Sequence, residues 1–217
     1  MKRILEPEAM DTVEEAEGYD SMDHSEANES FIDRLLALGA CGRMLDLGTG
    51  PAQIPILLCE RRPEVSVVGI DLAHHMLRVA AANVERSELG ERIDLRHGDA
   101  KDLDLEPTSF DTVYSNTILH HIPDPRPFLS EAARLVKPNG TLLIRDLFRP
   151  ESRERLEELV DLHAQGANEY QRGLFGASLN AAFTPEELRA IADESGLAHA
   201  EVVVDTDRHM SLQVHAT

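Results

Sequence analysis

Tryptophan is missing from the chain and aromatic residues make up only 4% of it, which leaves no visible cage for a large planar ligand or a quaternary amine. Cysteine is scarce as well. Cys41 and Cys59 are too few and too loosely spaced for a zinc site or a disulfide framework, so a reducing compartment and two free core thiols are expected. Basic residues are outnumbered, 21 Lys+Arg against 40 Asp+Glu. The net charge of −19 repels a phosphate backbone and offers no counterion release, which argues against nucleic acid as a partner. No apolar run is long enough for a bilayer, and Met1-Lys2-Arg3-Ile4-Leu5-Glu6-Pro7 is basic without a hydrophobic signal segment behind it, so no membrane partner and a soluble, cytoplasmic chain are expected. Repeats and low-complexity tracts are also missing, and 217 residues suffice for one well-buried α/β domain.

What is present begins with an acidic stretch. Residues 1–30 carry ten carboxylates against Lys2 and Arg3, and read as a solvated arm. The segment from Tyr19 to His24 mixes an aromatic, a thioether and an imidazole, which makes a lid the alternative. Residues 31–217 then read as the single domain. Phe31, Ile32, Leu35, Leu36 and Leu38 form a helical apolar face that Gly39 and Gly42 end. Buried strands are expected at 43–47, 65–70, 93–97, 111–116 and 141–145, with helices between them, the signature of a parallel sheet covered on both faces. Lys137-Pro138-Asn139-Gly140 breaks the last of those helices. A helical insert or cap is expected at about 151–183. Thr184-Pro185-Glu186-Glu187 is a strong helix start, and strands at 201–204 and 210–216 close as an antiparallel pair.

The chain is organised around Met44-Leu45-Asp46-Leu47-Gly48-Thr49-Gly50-Pro51, a buried strand, a glycine turn and the start of a helix. That arrangement makes a nucleotide pocket. A dinucleotide fingerprint would place a third glycine where Gln53 stands, and Asp46 before the turn suits a cationic or zwitterionic ligand better than a polyanion. Asp71 ends the second strand about twenty residues after the turn, where a carboxylate accepts both hydroxyls of a ribose. The pocket therefore asks for a nucleoside without phosphates.

Five ordered stretches resemble one family, the class I S-adenosylmethionine-dependent methyltransferases of small-molecule type. These are Leu45-Asp46-Leu47-Gly48-Thr49-Gly50, Val68-Gly69-Ile70-Asp71, Gly98-Asp99-Ala100, Phe110 to Asn116, and Leu135 to Leu142. The resemblance spans roughly residues 30–150. It implies a Rossmann-like, doubly wound, mostly parallel seven-stranded sheet with a C-terminal antiparallel hairpin and helices on both faces. It also implies S-adenosyl-L-methionine as cofactor, S-adenosyl-L-homocysteine as product and a small-molecule methyl acceptor. Gly48 and Gly50 would pass under the methionyl group, Asp46 would hold its ammonium, and Asp71 would take the ribose. Leu72 and Ala100 would flank adenine and Asp99 would accept from its exocyclic amine, with Thr49, Met76 and Asn116 completing the cofactor set. For Asp99 the competing role is a turn residue that satisfies its own backbone.

Catalysis is expected at the exit of the fourth strand. Asn116-Thr117-Ile118-Leu119-His120-His121-Ile122-Pro123-Asp124 resembles an Asn-x-x-Leu-His-His-x-x-Asp pattern in small-molecule members of the family. Either His120 or His121 is a reasonable base, and the residues do not choose between them. Asp146 at the carboxyl end of the fifth strand joins them as a catalytic candidate, and Arg145 and Arg149 beside it would hold an acidic substrate or form structural ion pairs. Tyr19 and His24 would cover the site from the arm. His74-His75 looks like a metal pair only at first sight, because adjacent helical residues point in different directions, and no metal is expected. The alternatives to methyl transfer are another reaction of the same cofactor and a cofactor-binding regulatory module; self-association stays open.

Overall fold

Met44, Leu45, Asp46 and Leu47 are all buried, as only a central strand with both faces covered can be. In the computed structural model, which describes residues 1–6 and 11–216, that strand is β1 (Arg43–Leu47). It lies between β2 (Ser66–Asp71) and β4 (Phe110–Asn116), parallel to both. β3 (Ile93–His97) extends the sheet beyond β2, and β5 (Val136–Leu147) pairs in parallel with β4. β7 (His209–Val214) runs antiparallel to β5 and carries β6 (Glu201–Val204) on its outer edge. The order β3-β2-β1-β4-β5-β7-β6 makes a seven-stranded Rossmann-like sheet closed by an antiparallel hairpin. The order reverses between β1 and β4, so the crevice beyond their carboxyl ends is where a doubly wound sheet binds ligands.

Alternation along the strands separates two cores. On one face Met44, Val67, Tyr114 and Leu143 meet Phe31, Ile32 and Leu35 of α2 (Ser25–Ala37) and residues of α3 (Gln53–Arg61) and α4 (His74–Ser87). On the other, Leu45, Leu47, Val113, Leu142 and Ile144 meet Phe128, Leu129 and Leu135 of α5 (Arg126–Leu135) and Leu188 of α8 (Pro185–Glu194). α8 starts on the box expected of it: Glu187 N donates to the Thr184 hydroxyl, and the Glu187 side chain accepts from Thr184 N. α6 (Arg153–His163) and α7 (Glu169–Ala181) pack on each other through Leu156, Leu159, Val160, Phe175 and Leu179.

Three local expectations change. The acidic arm contains α1 (Val13–Asp20), started by Thr12 and Glu15 as a capping box, and α2 already begins at Ser25 rather than near Phe31. β5 begins at Val136 instead of 141, because the chain leaves α5 directly into extended backbone, with Asn139 at φ +67 forming the kink. Cys59 is buried, but Cys41 is exposed, since it lies in the loop ahead of β1 rather than in the core.

Candidate active site

The glycine turn after β1 is held from β2. Gly48 N and Thr49 N donate to Ile70 O, at 2.8 and 2.9 Å, and Gly50 N donates to Asp71 Oδ2 at 2.7 Å. Asp71 Oδ1 accepts from Ala73 N at 2.9 Å, so this carboxylate organises both the turn and the entry to α4. Gly48 adopts φ +81, and a Cβ there would sit 2.6 Å from the side chain of Ile118. The cofactor turn and the loop after β4 are therefore in direct contact. Gly50, at φ +52, has open space where a Cβ would be. Across the crevice Thr117 takes φ +64, a strained conformation for a β-branched residue, at the exit of β4.

All ten residues expected to bind cofactor line one cavity at this switch point: Asp46, Gly48, Thr49, Gly50, Asp71, Leu72, Met76, Asp99, Ala100 and Asn116. Leu72 is half-open to solvent there, while Met76 is buried at the base of α4. Asp99 Oδ1 accepts from both Lys101 N and Lys101 Nζ at 3.0 Å, so the turn role raised for this residue is real and coexists with its place in the lining. Asp46 is only 2% exposed. Burial pushes its carboxyl up to about 8, nearby Asp71 adds to that, and the hydroxyls of Thr49 and Tyr114 pull the other way. A buried carboxyl held neutral in this way is the group an incoming ammonium would ionise, so the lining fits a ligand carrying a positive charge at that end.

Tyr19 of α1 lines the cavity as expected of a lid residue. His24 does not; it stacks on Tyr19 with ring centroids 4.5 Å apart, and its Nε2 lies 3.2 Å from Tyr19 O, so it packs behind Tyr19. α1 seats on α4 through Ala16, Tyr19, Ala73, Met76 and Val79, and polar contacts fix its C-terminal end. Asp20 Oδ1 accepts from Asn83 Nδ2 at 2.9 Å and from Gln53 Nε2 at 3.2 Å, while Asn28 donates to Gln53 Oε1 at 3.1 Å. Gln53, which replaces the third glycine of a dinucleotide fingerprint, thus ties α1 and α2 to the start of α3.

The two histidines part company on a single 3-10 turn, Leu119–His121. His121 lines the cavity, whereas His120 is 2% exposed beneath it. Asp146 Oδ2 accepts from His120 N at 2.8 Å and Asp146 Oδ1 pairs with His120 Nδ1 at 2.6 Å. Leu147 N also donates to Asp146 Oδ1. Burial opposes ionisation of Asp146, but His120 and these backbone donors hold its carboxyl below the usual range. Burial likewise disfavours a charged His120 ring, yet Asp146 and Glu6 on either side raise it to about 9.

Arg145 and Arg149 are not brought to the cavity. Consecutive strand residues face opposite sides of a sheet, so with Asp146 turned to the histidines Arg145 points to the other face, where it pairs with Asp205 at 3.4 Å and reaches Ser30. Arg149 lies past the strand and is spent on Glu187 at 2.6 Å, Ala182 O and Met1 O. Both are structural cations.

Sequence reasoning missed Glu6 and Arg3. The first residues form a strap along the side of the crevice that carries His120 and His121. Arg3 donates to the carbonyls of His120, Ile122, Pro123 and Ala181 and lies 3.7 Å over the ring of Phe183. Glu6 Oε1 then stands 3.1 Å from His120 Nε2 and 3.3 Å from His121 Nδ1. Nothing in the local pattern of the first six residues signals this, because their partners lie more than a hundred residues away.

A doubly wound α/β sheet with a phosphate-free nucleoside cavity at its switch point defines a class of nucleoside-cofactor proteins, and comparison places the chain within it. A family model described as a methyltransferase domain matches residues 45–144. The ubiquinone biosynthesis O-methyltransferase of Chromobacterium violaceum is 32% identical over 77% of this chain and 68% of that one. The 27-O-demethylrifamycin SV methyltransferase of Amycolatopsis mediterranei is 31% identical over 61% of this chain and 49% of that one. A SAM-dependent methyltransferase from Aquifex aeolicus shares the fold over 95% of this chain and 99% of its own, with a TM-score of 0.69 at 17% identity. The chain belongs to the class I S-adenosylmethionine-dependent methyltransferases. It spans about half the length of the first curated relatives it matches.

Proposed function

We propose that the chain transfers the methyl group of S-adenosyl-L-methionine to a small-molecule acceptor and releases S-adenosyl-L-homocysteine. The observation that carries this reading is the convergence of ten cofactor-type residues on one cavity, with the buried carboxyl of Asp46 in its lining. In the assignment, Asp46 ionises against the methionyl ammonium, Gly48 and Gly50 let that group pass close to backbone, and Asp71 accepts from the ribose hydroxyls. Leu72 and Ala100 flank adenine and Asp99 takes its exocyclic amine, while Thr49, Met76 and Asn116 fill the remaining wall. Tyr19 covers the site.

Methyl transfer is an in-line displacement in which a nucleophile attacks carbon as the sulfonium leaves as a neutral thioether. The protein's share is alignment, together with disposal of the acceptor's proton where there is one. His121 faces the cavity, so the acceptor and its proton belong on that side; His120 and Asp146 lie behind and position it. The names of two relatives specify O-methylation and that of a third N-methylation, which supports a hydroxyl or amine acceptor, and we propose the hydroxyl. The charge of −19 supports a small molecule over nucleic acid. Among the described residues no helix is long and apolar enough to cross a membrane.

Calorimetric titration with S-adenosyl-L-homocysteine tests the cofactor half, and Asp71→Ala is expected to abolish it. Retention of wild-type affinity in that variant would sink the site assignment. Mass analysis of hydroxylated acceptors after incubation with the methyl donor tests the other half, since methyl transfer leaves a product heavier by one methyl group.

A further inference from the structure

Glu6, His120 and His121 converge on one point from two distant parts of the chain, and we propose that they form a zinc-type divalent-cation site at the acceptor edge of the cavity. This departs from the expectation that the chain holds no metal. The donor atoms Glu6 Oε1, His120 Nε2 and His121 Nδ1 all lie within 4.8 Å of one another. Two of the separations are 3.1 and 3.3 Å. Ligand bonds of about 2.0–2.1 Å in a tetrahedral zinc site place neighbouring donors roughly 3.3–3.4 Å apart, so Glu6 stands from each histidine near the spacing such an ion requires, with the two imidazole nitrogens within 4.8 Å of each other.

The surroundings of these donors point the same way. The carboxylate of Asp146 accepts from His120 N and Leu147 N and faces His120 Nδ1 at 2.6 Å, so Nδ1 carries a hydrogen. Nε2 is then the ring atom that faces Glu6 Oε1, and a divalent cation bound there would replace the proton that otherwise joins the two groups. A carboxylate behind a histidine is also the usual outer partner of a metal-bound imidazole, fixing its tautomer and orientation. Glu6 has such a partner too, for the Ser178 hydroxyl donates to its Oε1 at 3.2 Å. One carboxylate and two imidazoles form a three-ligand set that leaves a fourth position open, and His121 places that position towards the cavity.

The use of the ion rests on the methyl-transfer reading; the ion site does not. An acceptor hydroxyl bound through oxygen at the open position would lose its proton to solvent at neutral pH. Its oxygen would form the new O–CH3 bond while the S–CH3 bond breaks and its electron pair stays on sulfur. The ion keeps its charge throughout and only lowers the acceptor's pKa.

The test uses the full chain, stripped with a chelator and titrated with Zn2+ by calorimetry, with Co2+ as a spectroscopic probe. One equivalent of zinc and a tetrahedral-type cobalt spectrum are expected. Glu6→Gln and His121→Ala should each remove the stoichiometric site, and Asp146→Asn should weaken it by about 10–100-fold. The doubly substituted His74→Ala/His97→Ala chain removes a stacked histidine pair 3.8 Å apart elsewhere on the surface and should leave zinc binding unchanged. Absence of stoichiometric binding in the wild type overturns the proposal. So does binding that survives both Glu6→Gln and His121→Ala, or that disappears in the His74→Ala/His97→Ala chain. S-adenosyl-L-homocysteine titration of the same samples shows that each variant is folded. It also separates the two readings: zinc binding without homocysteine-product binding would refute methyl transfer and leave the ion site standing.

Discussion

Asp46 gives the most direct handle on the cofactor site. Its carboxyl is pushed up to about 8 by burial, so below that pH the cofactor-free protein holds it mainly protonated. An ammonium bound beside it requires the ionised form, so binding must expel a proton. Apparent affinity then scales with the ionised fraction, which between pH 6 and pH 7.5 rises by roughly twentyfold for a group titrating at about 8. S-adenosyl-L-homocysteine should bind about twentyfold more tightly at pH 7.5 than at pH 6, with close to one proton released at pH 6. Calorimetry in two buffers of different ionisation enthalpy measures both quantities. The Asp46→Asn variant should bind weakly and lose the pH dependence. For the cofactor-free protein the sign reverses. A carboxyl raised on folding costs progressively more stability as pH climbs from its unfolded value near 4 towards 8, so Asp46→Asn should raise the melting temperature more at pH 8 than at pH 5. Flat affinity from pH 6 to 7.5 without proton release would refute the placement of the ammonium at Asp46.

Gly48→Ala drives a Cβ to within 2.6 Å of Ile118 at a left-handed backbone position and should cost about 1–3 kcal/mol in urea denaturation along with cofactor affinity. Adding Ile118→Ala should recover part of both, and no recovery would show that the clash is not the cause. Leu45→Ala empties a fully buried position between β1 and α5 and should lower stability by about 2–5 kcal/mol while leaving the polar lining intact. A thiol reagent should label Cys41 in the native protein and Cys59 only after unfolding; equal native rates would contradict the burial of Cys59.

The glycine-turn half of the cavity was legible because all of its expected residues but Met76, on the first turn of α4, sit on a strand end or the turn that follows it. A run such as Asp46-Leu47-Gly48-Thr49-Gly50 states its own conformation through burial, spacing and glycine. Once β1 and β2 are known to be parallel neighbours, Asp71 has to stand beside Gly50. The acceptor half follows no such local rule. Which of His120 and His121 faces inward is decided by a 3-10 turn of three residues, too short for a periodicity to show. Glu6 and Arg3 reach the site only because a strap docks against Ala181, Phe183 and the loop after β4. Arg145 is a different case: of its two expected roles, substrate holder or structural ion pair, the structure bears out the second, because period two along the strand turns it away from Asp146.

The opposite orientation of Arg145 and Asp146 on β5 bears on how the sheet finds its closure. β5 pairs with β7 so that Arg145 stands opposite Ser211 and Asp146 opposite Met210. Reversing the facing of β5 by one residue would send a guanidinium towards His120 and leave a carboxylate among Asp205 and its neighbours, stranding two buried charges at once. A strand of aliphatic residues alone tolerates such an error at modest cost. Here the error penalises itself, so the pair that serves the crevice on one face and the hairpin on the other also proofreads the assembly of the antiparallel edge.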